Sequence, residues 1–303
     1  YGRYKMTFSG IHVNYSFSEE LLREEYSLSR MGRSRSFRDS FYLELAEKAA
    51  AYGWLLVILT AASPVLDGSF YSIDAAGEDV FSGMASVRCS ELGYWNAFVP
   101  VFDYANIQRY SDGIRAYVDS GFLAAPSELY YPVRLKPKGE NSLETLKDGG
   151  VDHIELRMFD LNPLAEEGLD TRDVQFAQLF LTWLASLPRM NLTARDQVMA
   201  VQNFKNAARY DLRNVPVVMA SAAGGSLSGD ALGAARVVME QIRAFYRELR
   251  DDLPARVFEV LDFEAKKLAD PSLRYAVQVR ERFSGTFLEK GMAHAVHLQE
   301  LAQ

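Results

Sequence analysis

A single cysteine, Cys89, in 303 residues leaves no partner for an internal disulfide and fits a reducing cytoplasm. Long apolar runs are missing too. The longest, Trp54 to Ala62 (WLLVILTAA), is about half of the roughly 20 residues that a membrane-crossing helix needs, so a buried helix is expected there. No basic segment followed by an apolar stretch precedes a small-residue cleavage site, so no secretion signal is expected. The first residue is Tyr1 rather than Met, and the chain is expected to begin inside a longer protein. Net charge is −7, which argues against broad electrostatic binding of nucleic acid while allowing a local basic patch, and favours a small-molecule or protein partner. Internal repeats, low-complexity tracts and a clear interdomain linker are also lacking.

What is present is an ordinary globular composition, half apolar and a quarter charged, enough for one large domain or two small ones. Residues 3 to 17 alternate as a strand, and Ser18 with Glu19 and Glu20 opens a helix by capping and by complementing the helix dipole. MGRSRS (31–36) reads as a basic loop. A helix follows from about Phe37 to Tyr52, breaks at Gly53 and resumes through WLLVILTAA until Ser63-Pro64 stops it. Residues 66–83 read as loop, 84–96 as extended at their start, and 104–120 as helix. The plainest strands of the middle are LYYPVRLK (129–136), whose Pro132 suits an edge or a bulge, and VDHIELRMFDL (151–161), with a short helix near Ser142 to Lys147 between them. Beyond Pro163 the period is helical, over about 171–187, 193–209, 229–250, 254–268 and 271–300. A mixed first half (1–165) and a helical second half (166–303) within one unit (1–303) read as α+β.

Strand parity points to chemistry, because residues i and i+2 share a face. In the first strand Tyr4, Met6, Phe8, Gly10, His12 and Asn14 share one side, against Thr7, Ser9, Ile11, Val13 and Tyr15; the side turns polar where Gly10 leaves room. In VDHIELRMFDL, His153, Glu155, Arg157 and Phe159 oppose Ile154, Leu156 and Met158. In MASVRCSEL, Ser86, Arg88 and Ser90 oppose Ala85, Val87 and Cys89. In LYYPVRLK, Tyr130, Pro132, Arg134 and Lys136 share a side. A solvated outer face is the commonest fate of such strands. Against it stands the residue type: solvated faces favour Thr, Lys and Glu, whereas His, Asn, Arg, Tyr and Glu together suit a site. Arg binds phosphate or carboxylate through paired donors, and Glu with neutral His suits a divalent cation.

Other features carry less. AAGGSLSG (222–229) lacks the GK[ST] ending of a phosphate-cradling loop and reads as a flexible helix connection. His294 and His297 lie three apart on the last helix, a surface pair without a third ligand nearby. Arg88 could lower the pKa of Cys89, but a buried small apolar residue is the default for such a thiol. No GxSxG nucleophile context is found.

SGIHVNYSF, ASPVLDGSF (62–70), SVRCSELGYWN (86–96), LYYPVRLKPKG (129–139) and above all GGVDHIELRMFDLNPLAEEG (149–168) stand in an order and spacing that resembles the bacterial-type glutamate–cysteine ligases, or γ-glutamylcysteine synthetases. The resemblance extends, more loosely, through the helical half. It implies a glutamine-synthetase-like fold: a curved antiparallel sheet forming a funnel, with helices outside. It also implies ATP-dependent joining of the γ-carboxylate of L-glutamate to the amine of L-cysteine through a γ-glutamyl phosphate, the first step of glutathione synthesis. Bringing a triphosphate to a carboxylate stacks negative charge, so Mg2+ (or Mn2+) and guanidinium groups must offset it.

The resemblance assigns roles residue by residue. His12 and Glu155 match metal-proximal positions, although magnesium prefers oxygen ligands. Asn14 matches a substrate-side position, Arg88 the arginine facing glutamate, and Arg157 the one facing the transferred phosphoryl group. Tyr94 and Tyr130 match tyrosines of the cysteine pocket, and Arg134 and Lys136 nucleotide-side cations. In the family an acidic strand from the first hundred or more residues completes the metal cluster, and this chain is expected to begin after it. The wording RMFDLNP and the short spacing before GGVDHIELR are more like the versions fused to a glutathione synthetase half. Two other readings stay open: a relative that uses another amine, and a non-catalytic amino-acid- or nucleotide-binding domain of the same fold.

Overall fold

The structure is a computed structural model that describes residue 8 and residues 10–28, 34–220, 226–283 and 287–301. Tyr4, Met6, Thr7 and Ser9 of the expected first strand, residues 31–33 of the basic loop expected over 31–36, and residues 222–225 of the glycine-rich stretch lie outside the described residues, and Ser34–Ser36 of that expected loop are helical instead.

The first part runs β1 (Gly10–Tyr15), α1 (Glu19–Leu28), α2 (Ser34–Tyr52), α3 (Trp54–Thr60), β2 (Val65–Asp67), β3 (Asp79–Phe81), α4 (Ile107–Asp119), β4 (Val133–Lys136), α5 (Leu143–Gly149) and β5 (His153–Asp160). Then follow α6 (Thr171–Ser186), α7 (Ala194–Ala207), β6 (Pro216–Ala220), β7 (Ser226–Asp230), α8 (Ala231–Glu248), α9 (Ala255–Ala269), α10 (Tyr275–Phe283) and α11 (Phe287–Leu301). The fold is α+β with antiparallel sheets, as the pattern of elements implies. Among the described residues no helix is long and apolar enough to cross a membrane.

The sheet that positions the site has the order β1-β5-β4, antiparallel throughout. Val13, Tyr15, Val133, Leu135, Ile154 and Leu156 pair across it on one face and meet the core, whose centre is α2 and α3. All seven residues of α3 are buried, so WLLVILT is the interior helix its composition predicts. It breaks from α2 at Gly53, where a Cβ would lie 2.6 Å from the Ala49 carbonyl oxygen and 2.7 Å from the Phe204 ring. It ends at Thr60, short of Ser63-Pro64, because Ala61 is extended and the Ala62 N–H donates to the Asp160 carboxylate instead of to a helix carbonyl.

Several expectations need correction. Residues 84–90 form no strand. Ser86 makes only an isolated bridge to Ser63, and its hydroxyl oxygen accepts the Cys89 N–H at 3.0 Å, closing a turn in place of a ladder. LYYPVRLK is a strand only from Val133, since Pro132 has no N–H to give and the Tyr130 N–H goes to the Asn96 side chain at 2.7 Å. The stretch 66–83 holds a small antiparallel pair, β2 with β3, pinned by Asp67, which accepts from the Ser69 and Gly77 N–H groups. Ser226–Asp230 is strand β7, paired with β6, so the described end of AAGGSLSG is not a bare helix connection, and the second half is not wholly helical. The helix expected over 271–300 is two helices, α10 and α11, with Phe283 and Phe287 in edge contact at 5.5 Å.

Candidate functional site

The other face of the sheet carries the polar residues. Asn14 pairs with Glu155 across β1 and β5, and Glu155 with Arg134 across β5 and β4, so the three share one side. Lys136 pairs with His153 one step along. Between Ile11 and Val13 the register slips by one residue, so that Arg157 and Met158 together oppose His12. This bulge has two effects. It sets the Arg157 and His12 side chains in contact, Nε to Nε2 at 3.4 Å. It also turns Phe159 into the core, where it is fully buried, contrary to the parity that grouped it with Glu155 and Arg157.

Glu155 is the hub. His12 Nδ1 lies 3.4 Å from Oε1, and Lys136 Nζ and Arg157 Nε lie 3.6 and 3.7 Å from Oε2. Burial alone would raise its pKa, but the His12 ring and the charges of Lys136 and Arg157 outweigh burial and hold the carboxyl at about 2. The Glu155 side chain is 9 % exposed while that of His12 is 38 % exposed, so the cluster opens to solvent on the β1 side. Arg157 has a donor in hand: its Nη1 is buried and has no hydrogen-bond partner among the described residues. Its guanidinium sits 5.0 Å above the Tyr130 ring, which meets Tyr94 edge-on at 4.7 Å and Trp95 at 5.9 Å.

Arg134 and Lys136 line the β4 side. Arg134 donates to the carbonyls of Ser127 and Leu129, and burial followed by the charge of Arg157 pushes it down to about 10. Burial lowers Lys136 as well, with Glu155 pulling it back. Lys136 shares Glu155 Oε2 with Arg157.

Arg88 arrives from the 86–90 turn. It is 4 % exposed, and its guanidinium donates to the backbone carbonyls of Phe159, at 3.3 Å, and of Arg157. The space above Gly10, which parity left for a ligand, is filled by this side chain: a Cβ on Gly10 would collide with the Arg88 guanidinium and lie 2.7 Å from the Phe159 carbonyl oxygen. The site is therefore closed at the Gly10 end and open at His12 and Asn14. Cys89 is 5 % exposed, and burial followed by the charge of Asp160 pushes its thiol up to about 11 despite Arg88, so it is an inert buried thiol.

The sheet thus brings together His12, Asn14, Arg134, Lys136, Glu155 and Arg157, while Arg88 and Tyr94 join them from the 86–96 segment and Tyr130 from the stretch before β4. Two residues of the same neighbourhood carried no signal in strand parity. Asn96 fixes Tyr130 by accepting its N–H and donating to the Glu128 carbonyl at 3.0 Å. Asp160, 1 % exposed, accepts from Ala62, Ser63 and Ser86. Asn96 sat inside the quoted SVRCSELGYWN block, and Asp160 inside RMFDLNP.

A divalent cation would find one carboxylate and one imidazole here. Among the described residues no group of three or more His, Cys, Asp and Glu side chains gathers, and none forms around His294 and His297. Magnesium is commonly held by one or two carboxylates together with substrate phosphates and water, so an ionised Glu155 beside the exposed His12 ring and the unpartnered Arg157 nitrogen fits that style of binding.

Comparison with known proteins agrees with the five sequence blocks. The family described as Glutamate-cysteine ligase matches residues 1–120 and 98–207. The "Glutathione biosynthesis bifunctional protein GshAB" of Clostridium perfringens is 34% identical over 206 residues, 65% of this chain and 26% of that protein. The protein of the same name from Listeria monocytogenes is 28% identical over 290 residues, 93% of this chain and 37% of its own length. Among solved structures, a bifunctional glutathione synthetase from Pasteurella multocida superposes with TM-score 0.79 at 22% identity, over 100% of this chain and 38% of that one. A glutamate–cysteine ligase from Francisella tularensis in complex with AMP gives TM-score 0.81 at 18% identity, over 99% and 65%. These two likenesses establish the fold. The chain spans between about a quarter and just over a third of the length of the bifunctional relatives. Since the family match runs through residues 1–207, more than half of the sequence, the chain belongs to the glutamate–cysteine ligase family.

Proposed function

We propose that this chain is the larger part of the ligase site of a longer, cytoplasmic protein that joins the γ-carboxylate of L-glutamate to the amine of L-cysteine with ATP. The observation that carries the proposal is the buried, unpartnered Nη1 of Arg157 beside the Glu155 hub, in a chain of this family. A cation donor left without a partner in a half-buried site is costly unless an anion completes it. A phosphoryl group in transfer is such an anion.

In this reading the β1-β5-β4 sheet is one wall of a curved, funnel-shaped sheet of the glutamine synthetase type, and 1–303 is one catalytic unit. Arg157 offsets charge on the transferred phosphoryl group, and Arg134 and Lys136 face the nucleotide, the Francisella structure being a complex with AMP. Arg88 and Asn14 serve the glutamate, and the Tyr94–Tyr130 pair forms the wall of the amine pocket. Glu155 with His12 would hold magnesium, or manganese in its place, which supplies neutralisation of the triphosphate and of the γ-glutamyl phosphate as it forms. Glu155 stays ionised at any pH compatible with catalysis. Fusion to a glutathione synthetase half belongs to the same proposal, supported by the bifunctional relatives.

The amine pocket gives the test. Purified full-length protein with ATP, magnesium and glutamate is offered cysteine and a panel of other amino acids, and γ-glutamyl products are separated by mass. Cysteine is expected to give the highest kcat/KM. Equal or better turnover with another amine rejects the cysteine assignment, and binding of nucleotide without any product selects a non-catalytic domain.

A further inference from the structure

We propose that Asp160 is the positioning residue for Arg88: its buried carboxylate fixes the Ser86–Ser90 turn and thereby sets the guanidinium against Gly10 and β5. This rests on the ligase reading for what Arg88 does, and on geometry alone for what holds it there.

Asp160 ends β5 opposite Gly10, and its carboxylate reaches the 86–90 segment. Its Oδ1 accepts from the Ser86 hydroxyl at 2.8 Å. Its Oδ2 accepts from the Ala62 N–H at 2.9 Å and the Ser63 hydroxyl at 2.8 Å. The Ser86 oxygen is used twice, since it also accepts the Cys89 N–H at 3.0 Å, so Asp160 orients the hydroxyl that closes the turn carrying Arg88. Backbone bonds complete the frame: Ser63 N–H to the Ala85 carbonyl at 3.1 Å, and Val87 N–H to the Ser63 carbonyl at 2.9 Å. Burial pushes the Asp160 carboxyl upward, and the Ala62 N–H, the Arg88 charge and the two serine hydroxyls pull it back.

A buried carboxylate that accepts from hydroxyls on two separate segments is a geometric constraint as well as a source of stability. The turn has no ladder of its own to hold it. Without the Ser86 hydroxyl in place, the Cys89 N–H loses its acceptor, and the turn carrying Arg88 keeps only its backbone bonds, from Ser90 to the Ser86 and Val87 carbonyls and from Ala85 and Ser86 to Ala208, which fix its path less tightly. In the ligase reading the consequence for catalysis falls on glutamate, which Arg88 serves there, and not on nucleotide or amine.

The experiment uses full-length protein carrying Asp160→Asn, Ser86→Ala or Ser63→Ala, with two readouts. The first is the alkylation rate of the peptide containing Cys89, followed by mass spectrometry on native protein. Asp160→Asn and Ser86→Ala are expected to raise it at least tenfold, and Ser63→Ala, on the far side of the carboxylate, to change it less than twofold. The second is steady-state kinetics, where the same two variants should raise KM for glutamate about 10- to 100-fold with KM for ATP within twofold. The effect of combining Asp160→Asn with Ser86→Ala should fall short of the sum of the two, because the changes share the Asp160–Ser86 bond. Unchanged Cys89 reactivity in Ser86→Ala overturns the proposal, and so does a KM for glutamate that stays unchanged or rises only in step with KM for ATP. If Asp160→Asn does not fold, Ser86→Ala decides. Wild-type protein without glutamate-dependent turnover would defeat the ligase reading alone, and the alkylation rates would then settle whether Asp160 holds the turn.

Discussion

Glu155→Gln in the full-length protein is expected to lower glutamate-dependent ATP turnover about 10²- to 10³-fold, with circular dichroism unchanged. Gln keeps the shape and loses the charge. That charge is what His12, Lys136 and Arg157 converge on at 3.4, 3.6 and 3.7 Å, and it is held ionised down to about pH 2. Without it two cations face each other with no anion between them, and the carboxylate that, among the described residues, stands on this face to meet a divalent ion is gone. The loss should fall on kcat, with a raised magnesium requirement, because the interaction matters most where phosphoryl charge builds up. Turnover at the wild-type rate would remove Glu155 from the site.

A second large effect lies far from the sheet. Lys267, Asp173 and Glu264 are 2 %, 1 % and 0 % exposed in the helical half, with Lys267 Nζ 2.7 Å from Asp173, 2.9 Å from Glu264 and 3.1 Å from the Leu59 carbonyl. The Tyr275 hydroxyl donates to Asp173 at 3.2 Å, and burial raises Glu264 well above the ordinary carboxylate range. Lys267→Met leaves the Asp173 charge buried without its cation, at a cost of about 3–5 kcal/mol and a fall in unfolding midpoint of about 10 °C. Adding Asp173→Leu and Glu264→Leu should recover most of this, since a packed apolar cluster replaces a buried ionic one at little net cost. Urea unfolding of the single and triple variants checks both. A single-variant cost under about 1 kcal/mol would mean that the cluster carries no such charge. Lys267 ties α9 to the end of α3, three residues before Ala62 and four before Ser63, which bond Asp160, so the helical half reaches the site by this route.

The polar face of the sheet was legible in the sequence because alternation is a local rule. GIHVNY and HIELR each declare their sides, and the observed register sets Asn14 opposite Glu155. The parts that were not legible depend on distant partners. The bulge at Arg157 and Met158 exists only in the pairing with β1, about 145 residues earlier, so parity misplaced Phe159. Residues 84–90 alternate like a strand, yet Ser86 closes a turn because its hydroxyl is oriented by Asp160, 74 positions away. The room above Gly10 belongs to Arg88 for the same reason. The Lys267 cluster joins α9 to α6 across 94 positions and is hidden inside helices whose period says only that one face is buried.

In the proposed reaction this polar wall serves the phosphorylation of a glutamate side chain. Glutamate carrying 18O at both γ-carboxyl oxygens, incubated with full-length protein, ATP, magnesium and cysteine, tests it directly. One labelled oxygen is predicted in each inorganic phosphate released, because the carboxylate oxygen that takes the phosphoryl group leaves with it when the amine displaces it. Phosphate released without label, with the 18O retained in glutamate, would contradict the account.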